Sequence, residues 1–140
     1  MRQSHKSPEY IIVIPGKAVS FRSPKSSEYK NIIHDAAERL FPKPIKGDYV
    51  EVRLDYFHMS RRRMDMDNIA KCVLDALNGV AYVDDRQVRL QAATAYSLTS
   101  VVYIANGIVD LIKPLAQYKE YLFIRIREVH DALTAYEKRK

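Results

Sequence analysis

Residues 49–79 read YVEVRLDYFHMSRRRMDMDNIAKCVLDALNG, and two different periodicities follow one another within them. Apolar and polar side chains alternate over residues 49–58, which is the pattern of a strand with one buried face. Residues 67–78 instead repeat apolar side chains at helical spacing, and Gly79 follows as a helix-ending residue. A basic loop, residues 59–66, lies between the two. The stretch therefore predicts a strand, a charged loop and an amphipathic helix.

The sequence on either side predicts further elements of the same two kinds. The additional strands are expected at residues 10–14, 87–96 and 121–129. A helix is expected at residues 28–40, and residues 101–118 could form a strand and then a helix stopped by Pro114. The fold class that follows is α+β, with a mixed β-sheet and helices packed on one face. We expect residues 1–140 to form a single compact domain with loose ends at 1–9 and 131–140.

Composition narrows the class of protein. A chain of 140 residues that is 47% hydrophobic can bury one core. Its formal net charge of +6 suits a polyanionic partner, although many proteins carry such a charge. The single cysteine, Cys72, excludes an intrachain disulfide and favours a reducing compartment. Because no apolar stretch predicts a signal peptide or a membrane span, we expect a cytoplasmic protein.

Four carboxylates stand out near the predicted central helix. Asp65 and Asp67 lie at its start, and in an extended segment both point to the same side. Asp84 and Asp85 follow a return segment long enough to come back beside that start. Taken separately, Asp67 could be only a helix N-cap, and Asp84-Asp85 only a turn. Taken together, converging carboxylates repel one another unless a cation neutralises them, and oxygen ligands suit Mg²⁺, or Mn²⁺ in its place.

Basic side chains accompany these acids. Lys71 follows Asp67 by one helical turn, and it could bind a phosphate or form a surface ion pair with Asp75. A run of three arginines and a basic loop at 17–27 could hold further phosphates, although a solvated loop is the alternative. The expected DNA-binding residues are Arg61, Arg62, Arg63, Lys17, Arg22 and Lys25. Acids and bases in this arrangement predict metal-assisted chemistry on a nucleic-acid backbone.

The order and spacing of these residues also carry a resemblance. The matching motifs are Asp65-x-Asp67-Asn68-x-x-Lys71, Leu74-Asp75-Ala76-Leu77-Asn78-Gly79 and Asp84-Asp85-x-Gln87-Val88. In this combination they resemble the RusA family of Holliday junction resolvases. The resemblance implies a homodimeric, Mg²⁺-dependent crossover junction endodeoxyribonuclease that makes paired nicks in four-way DNA junctions during recombination and repair. Such proteins are typical of bacteria and their prophages, and would associate with the nucleoid when acting.

The resemblance also implies roles for particular residues. Asp65, Asp67 and Asp85 would be the essential acids and metal ligands, and Asp84 a supporting ligand. Lys71 would be the essential basic residue, counted with these acids as catalytic. By its position in the helix, Asp75 is expected to orient Lys71 rather than to bind metal.

The chain departs from the family pattern in two places, and two other functions stay open. Residues 94–96 are neutral where a basic residue is expected, and residues 97–119 are longer than a simple hairpin. That segment could extend a dimer interface or pack onto its own core. One alternative function is a non-catalytic DNA-junction binding or recruitment module. The other is a Mg²⁺-dependent phosphotransfer enzyme, against which the lack of a Gly-rich phosphate loop counts.

Overall fold

The computed structural model of the protein describes residues 8–61, 65–99 and 109–129. Their elements are β1 (Glu9–Pro15), α1 (Ser26–Leu40), β2 (Val50–His58), α2 (Met66–Leu77), β3 (Val88–Ser97), α3 (Val109–Ile112) and β4 (Tyr121–Glu128). Short 3₁₀ turns at Asp85–Gln87 and Lys113–Ala116 precede β3 and follow α3. The predicted strands and the two long helices are confirmed, with small shifts at their ends. Of the expected loose ends, residues 1–7 and 131–140 lie outside the described residues, whereas Glu9 belongs to β1.

The four strands form one mixed sheet in the order β1-β4-β2-β3. β4 is antiparallel to both of its neighbours, and β2 is parallel to β3. Parallel strands that follow one another need a crossover, and α2 is the crossover here. The start of α2 therefore lies beyond the carboxyl end of β2. The turn before β3 lies at the other end of these strands, where Val88 is beside Val50.

Both long helices pack on the same face of the sheet. Ile33 of α1 and Val73 of α2 are completely buried in one apolar cluster, together with Val52 and Ile124 from the two central strands. The burial of this apolar surface is the main stabilising contribution to the fold. The predicted α+β class, with a mixed sheet and helices on one face, is confirmed for these two helices.

The opposite face of the sheet carries buried charges. β2 turns Glu51 and Asp55 to this face, as the alternation predicts, but each is only 5% exposed. A guanidinium nitrogen of Arg125 lies 3.0 Å from the Asp55 carboxylate, and one of Arg127 lies 3.0 Å from Glu51. Burial alone would raise the pKa of Glu51, but hydrogen bonds from Arg53 and Arg127 outweigh it, so that pKa lies below its ordinary value.

The short helix α3 covers another part of this second face. Leu111 packs with Phe57, Tyr121 and Phe123, and the Tyr121 hydroxyl donates to the Leu111 carbonyl at 2.7 Å. Part of the long segment before β4 therefore packs onto its own core, which was one of the two alternatives. Residues 100–108 of that segment lie outside the described residues. Among the helices that the structure describes, none has the length and apolar character to cross a bilayer.

Candidate functional site

The start of α2 is organised by Asp65 rather than by Asp67. Asp65 is the N-cap, and its carboxylate accepts the backbone N–H of Asn68 at 3.3 Å and the Asn68 side-chain amide at 2.7 Å. The interpretation of Asp67 as the cap is therefore wrong, since Asp67 lies in the first helical turn. Asn68 fixes the orientation of the Asp65 carboxylate, and each of the two oxygens keeps a lone pair for another ligand.

The outer side of α2 presents a row of polar side chains. Asp67, Lys71, Asp75 and Asn78 are all exposed, while the intervening apolar residues face the core. This confirms the polar stripe that the helical spacing predicts. Because the acidic N-cap, Asp67 and Lys71 occupy the first two turns, a cation-binding and an anion-binding group lie side by side at this end of the helix.

The Asp84-Asp85 turn is held in place by one side chain, that of Gln87. The Gln87 amide oxygen accepts the backbone N–H groups of Val83 and Asp84 at 2.7 and 2.9 Å. Its amide nitrogen donates to the carbonyls of Ile45 at 2.7 Å and Gly47 at 2.8 Å. All four hydrogen-bonding positions of the amide are thus used, which explains the glutamine of the Asp84-Asp85-x-Gln87 motif.

This turn lies at the far end of α2 from Asp65 and Asp67. Gly79 has a φ of +83°, and its N–H donates to the Tyr82 carbonyl at 2.8 Å, so residues 79–82 form a tight turn. The return segment consequently does not bring Asp84 and Asp85 back beside the start of the helix, and that expectation is wrong. Asp75, whose charge acts on Asp85, lies near the end of α2. At about 1.5 Å per residue, it is about 12 Å along the helix axis from Asp67.

The acids at this far end interact with one another. The pKa of Asp85 is raised, first by a hydrogen bond that its protonated carboxyl donates to Asp84, and also by the negative charges of Asp84 and Asp75. The backbone N–H of Arg86 lowers the pKa of Asp84, whose carboxylate caps the 3₁₀ turn. The Tyr82 hydroxyl, which donates to the Leu74 carbonyl at 2.6 Å, lies among the same charges. Asp85 is exposed, so it is the freer ligand of the pair.

The donor chemistry at both ends of α2 fits a hard divalent cation, because the candidate ligands are carboxylate oxygens. The acids are nevertheless divided, with Asp65 and Asp67 at one end and Asp84 and Asp85 at the other. Among the residues that the structure describes, only one set of three potential ligand atoms lies within 4.8 Å of one another, namely His34, Asp35 and Glu38 on the exposed side of α1. One chain therefore does not gather Asp65, Asp67 and Asp85 around a single point.

Sequence reasoning did not identify Phe21 and Lys30, which lie near Lys71. The ammonium nitrogen of Lys71 lies 4.8 Å from the centre of the Phe21 ring, and that of Lys30 lies 5.4 Å from it. Lys30 also forms an ion pair with Asp75 at 3.6 Å. Asp75, which was expected to orient Lys71, therefore binds a lysine of α1. The helical spacing of α1 marks Lys30 as a polar position, but nothing in the sequence pairs it with Asp75.

The expected DNA-binding residues are distributed over two loops. Lys17, Arg22 and Lys25 are exposed on the first loop, and Lys17 and Lys25 line a shallow groove of about 210 Å³. Arg61 is exposed on the second loop, whereas Arg62 and Arg63 lie outside the described residues.

Glu120 anchors both loops. Its backbone carbonyl accepts the N–H of Gly16 at 2.8 Å, and its carboxylate accepts the N–H of Met59 at 2.7 Å. The carboxylate also accepts the Tyr56 hydroxyl at 3.4 Å, and that hydroxyl accepts the N–H of Ala18. The two basic loops therefore start from fixed points on the same edge of the sheet.

Comparison with known proteins bears on this arrangement directly. The family model described as endodeoxyribonuclease RusA matches residues 15–105, which is well over half of the chain. The matched span includes α1, β2, α2, the Asp84-Asp85 turn and β3. No match was found among curated proteins. The exposed acids of α2, its lysine and the glutamine-braced turn thus lie within the matched region, and the chain belongs to the RusA family of endodeoxyribonucleases.

Proposed function

We propose that this endonuclease is Mg²⁺-dependent and resolves four-way (Holliday) DNA junctions by paired nicks, as a homodimer, during recombination and repair. The observation that carries the proposal is the exposed group at the start of α2, where Asp65, Asp67 and Lys71 lie within two helical turns. Family membership supports the endonuclease activity, and this group supports the metal dependence. The same proposal places the protein in the bacterial cytoplasm, on chromosomal or prophage DNA.

The residues at the start of α2 divide the chemistry between them. Asp65 and Asp67 would hold Mg²⁺, or Mn²⁺ in its place, through carboxylate oxygens. Once bound, the metal supplies an activated water and stabilises negative charge on the scissile phosphate. Lys71 contacts the same phosphate as a point cation and stabilises the charge that develops on it. The hydrogen bonds from Asn68 hold the Asp65 carboxylate in one orientation throughout.

The two basic loops would hold the DNA on either side of this group. Lys17, Arg22, Lys25 and Arg61 are exposed cations, and contacts to phosphates position a duplex without reading its sequence. Arg62 and Arg63 extend the same basic segment in the sequence. Because each phosphate contact releases a counterion, junction binding is expected to weaken steeply with salt.

The decisive experiment measures strand cleavage of a synthetic mobile four-way junction with Mg²⁺ or Mn²⁺, with a linear duplex of the same sequence as control. Native protein and Asp67→Asn are compared with Asp110→Asn, which removes one exposed charge from α3, on the opposite face of the sheet. We expect the native protein and Asp110→Asn to nick the junction symmetrically, and Asp67→Asn to bind without cutting. If the native protein binds the junction but cuts with neither metal, a DNA-junction binding module replaces the enzyme.

The homodimer and the role of Asp85 need a separate experiment, because Asp85 lies at the far end of α2. Asp67→Asn and Asp85→Asn proteins are mixed, and cleavage by the mixture is compared with that of each variant alone. If two copies build each site, a mixed dimer contains one intact set of acids, and single nicks return. If each chain builds its own site, both sites of the mixed dimer stay defective. A monomer at assay concentration would refute the homodimer.

A further inference from the structure

The side chain of Phe21 lies where the candidate phosphate-binding lysine has to be held. Its ring centre is 4.8 Å from the Lys71 ammonium nitrogen, within the range of a cation–π interaction. The backbone N–H of Phe21 donates to the Asn68 carbonyl at 3.0 Å, so the aromatic residue is tied to the first turn of α2. The ring is also packed against the main core cluster. Phe21 is therefore a fixed surface for a flexible side chain.

Lys30 forms an ion pair with Asp75, whose carboxylate would otherwise compete with a phosphate for Lys71. Asp75 follows Lys71 by four residues, which is the spacing of helical ion pairs, although lysine before acid is the weaker order. In the structure, the carboxylate of Asp75 instead lies 3.6 Å from the Lys30 ammonium nitrogen. Lys30 reaches it from α1, while its own ammonium lies 5.4 Å from the Phe21 ring centre.

The two contacts have complementary effects on Lys71. A lysine has a long, rotatable stem, and restraint by a ring lowers the entropy lost when the ammonium binds a phosphate. A carboxylate partner would have the opposite effect, because the ion pair would have to break before the phosphate could bind. Since Asp75 is held by Lys30, the charge of Lys71 is left for the DNA.

We propose that Phe21 and Lys30 are positioning residues for Lys71, the first by holding its ammonium group and the second by keeping Asp75 away from it. This inference rests on the proposed function, in which Lys71 contacts the scissile phosphate. Neither residue touches the reacting atoms itself, and each acts through Lys71.

The first test compares single-turnover cleavage of a four-way junction by Phe21→Leu and Phe21→Tyr. Leucine keeps an apolar side chain but removes the ring, whereas tyrosine keeps the ring. We expect Phe21→Leu to cut about fivefold more slowly, the factor that corresponds to one exposed cation–π contact. Phe21→Tyr should retain most of the native rate. Junction affinity should change much less than the rate in both variants, because the flanking basic residues are untouched.

The second test uses the competition for Asp75. Lys30→Gln should slow cleavage, because Asp75 then pairs with Lys71, and adding Asp75→Asn to Lys30→Gln should restore the rate. A merely structural role of Lys30 predicts no such rescue. Proton NMR of the Lys71 ε-methylene checks the contact itself, with an upfield ring-current shift in the native protein that disappears in Phe21→Leu.

The outcomes separate this inference from the proposed function. If the native protein cuts junctions and Phe21→Leu cuts equally fast, or if the double variant is not rescued, the positioning role is wrong and the endonuclease stands. If the native protein cuts no junction, the proposed function falls and the catalytic role of Lys71 with it. In that case the NMR experiment still tests the contact between Lys71 and Phe21. An upfield shift of the Lys71 ε-methylene supports the contact, and its absence overturns it.

Discussion

Gln87→Glu tests how the Asp84-Asp85 turn is held. The change keeps the size of the side chain and one oxygen, so the N–H groups of Val83 and Asp84 still have an acceptor. The amide nitrogen is replaced by a second oxygen that faces the carbonyls of Ile45 and Gly47, where the donor distances are 2.7 and 2.8 Å. Two hydrogen bonds are lost, and two pairs of acceptors are brought into contact.

The expected magnitude follows from those contacts. A hydrogen bond contributes about 1 kcal/mol net, and a polar group left without its partner costs about 1–3 kcal/mol. Because the side chain is half-buried, water relieves part of the cost, and we expect Gln87→Glu to lose about 2–4 kcal/mol. The new carboxylate also approaches Asp84 and Asp85, which acts in the same direction.

Urea unfolding followed by circular dichroism measures the loss of free energy of unfolding. The comparison requires that this free energy depend on urea concentration with the same slope in the variant and the native protein. Gln117→Glu is the matched control, since it makes the same charge change at an exposed position in the turn before β4. If both variants lose less than about 1 kcal/mol, the four hydrogen bonds do not hold the turn, and the reasoning is refuted.

Three further outcomes are expected. Arg125→Met leaves the buried Asp55 carboxylate with one partner among the described side chains, the Tyr96 hydroxyl. Urea unfolding should show that the free energy of unfolding falls by about 3 kcal/mol, and adding Asp55→Leu should largely reverse this loss. Asp65→Ala should lose about 1 kcal/mol as a cap, whereas Asp67→Ala should change stability little. Burial raises the pKa of Tyr56 and of Tyr121 to about 12, so their neutral forms stabilise the fold below the ordinary pKa of 10.0. That contribution should be lost as the pH rises from 10 towards 12, and urea midpoints that stay level from pH 9 to 11 would contradict it.

The periodicity of the sequence predicted where the helices and strands lie in the chain, but not how they are arranged in space. Alternation located β2, and the apolar repeat located α2, because both patterns depend on which side chains face the core. The position of Asp84 and Asp85 depends instead on how residues 79–82 fold. Residues 79–84, if extended, could have returned along the helix at about 3.3 Å each, but residues 79–82 form a compact turn around Gly79.

The buried charges show a second limit of the same kind. Alternation places Glu51 and Asp55 on the polar side of β2, and from the sequence alone a polar side is expected to be exposed. They are buried because β4 lies beside β2 and brings Arg125 and Arg127 into contact with them. The pairing of two strands that are distant in sequence decides the environment of each carboxylate, and no local pattern records that pairing. Lys30 and Asp75 escaped prediction for the same reason.

The division of the acids has a consequence for how the site can be completed. Half of the residues of α2 are buried in the core, so the helix is a rigid element that fixes the separation of its two ends. A carboxylate side chain reaches only a few ångströms, whereas the ends differ by about 12 Å between Asp67 and Asp75 alone. Among the residues that the structure describes, no set of three ligand atoms within 4.8 Å of one another includes Asp67 or Asp85, so we do not expect one chain to bring both acids to a common cation. If both acids serve one cleavage step, we expect the second to come from another copy, and the mixed-variant experiment then returns single nicks. If it returns none, Asp85 acts at a distance from the metal, and the pair at the start of α2 with Lys71 must suffice for the chemistry.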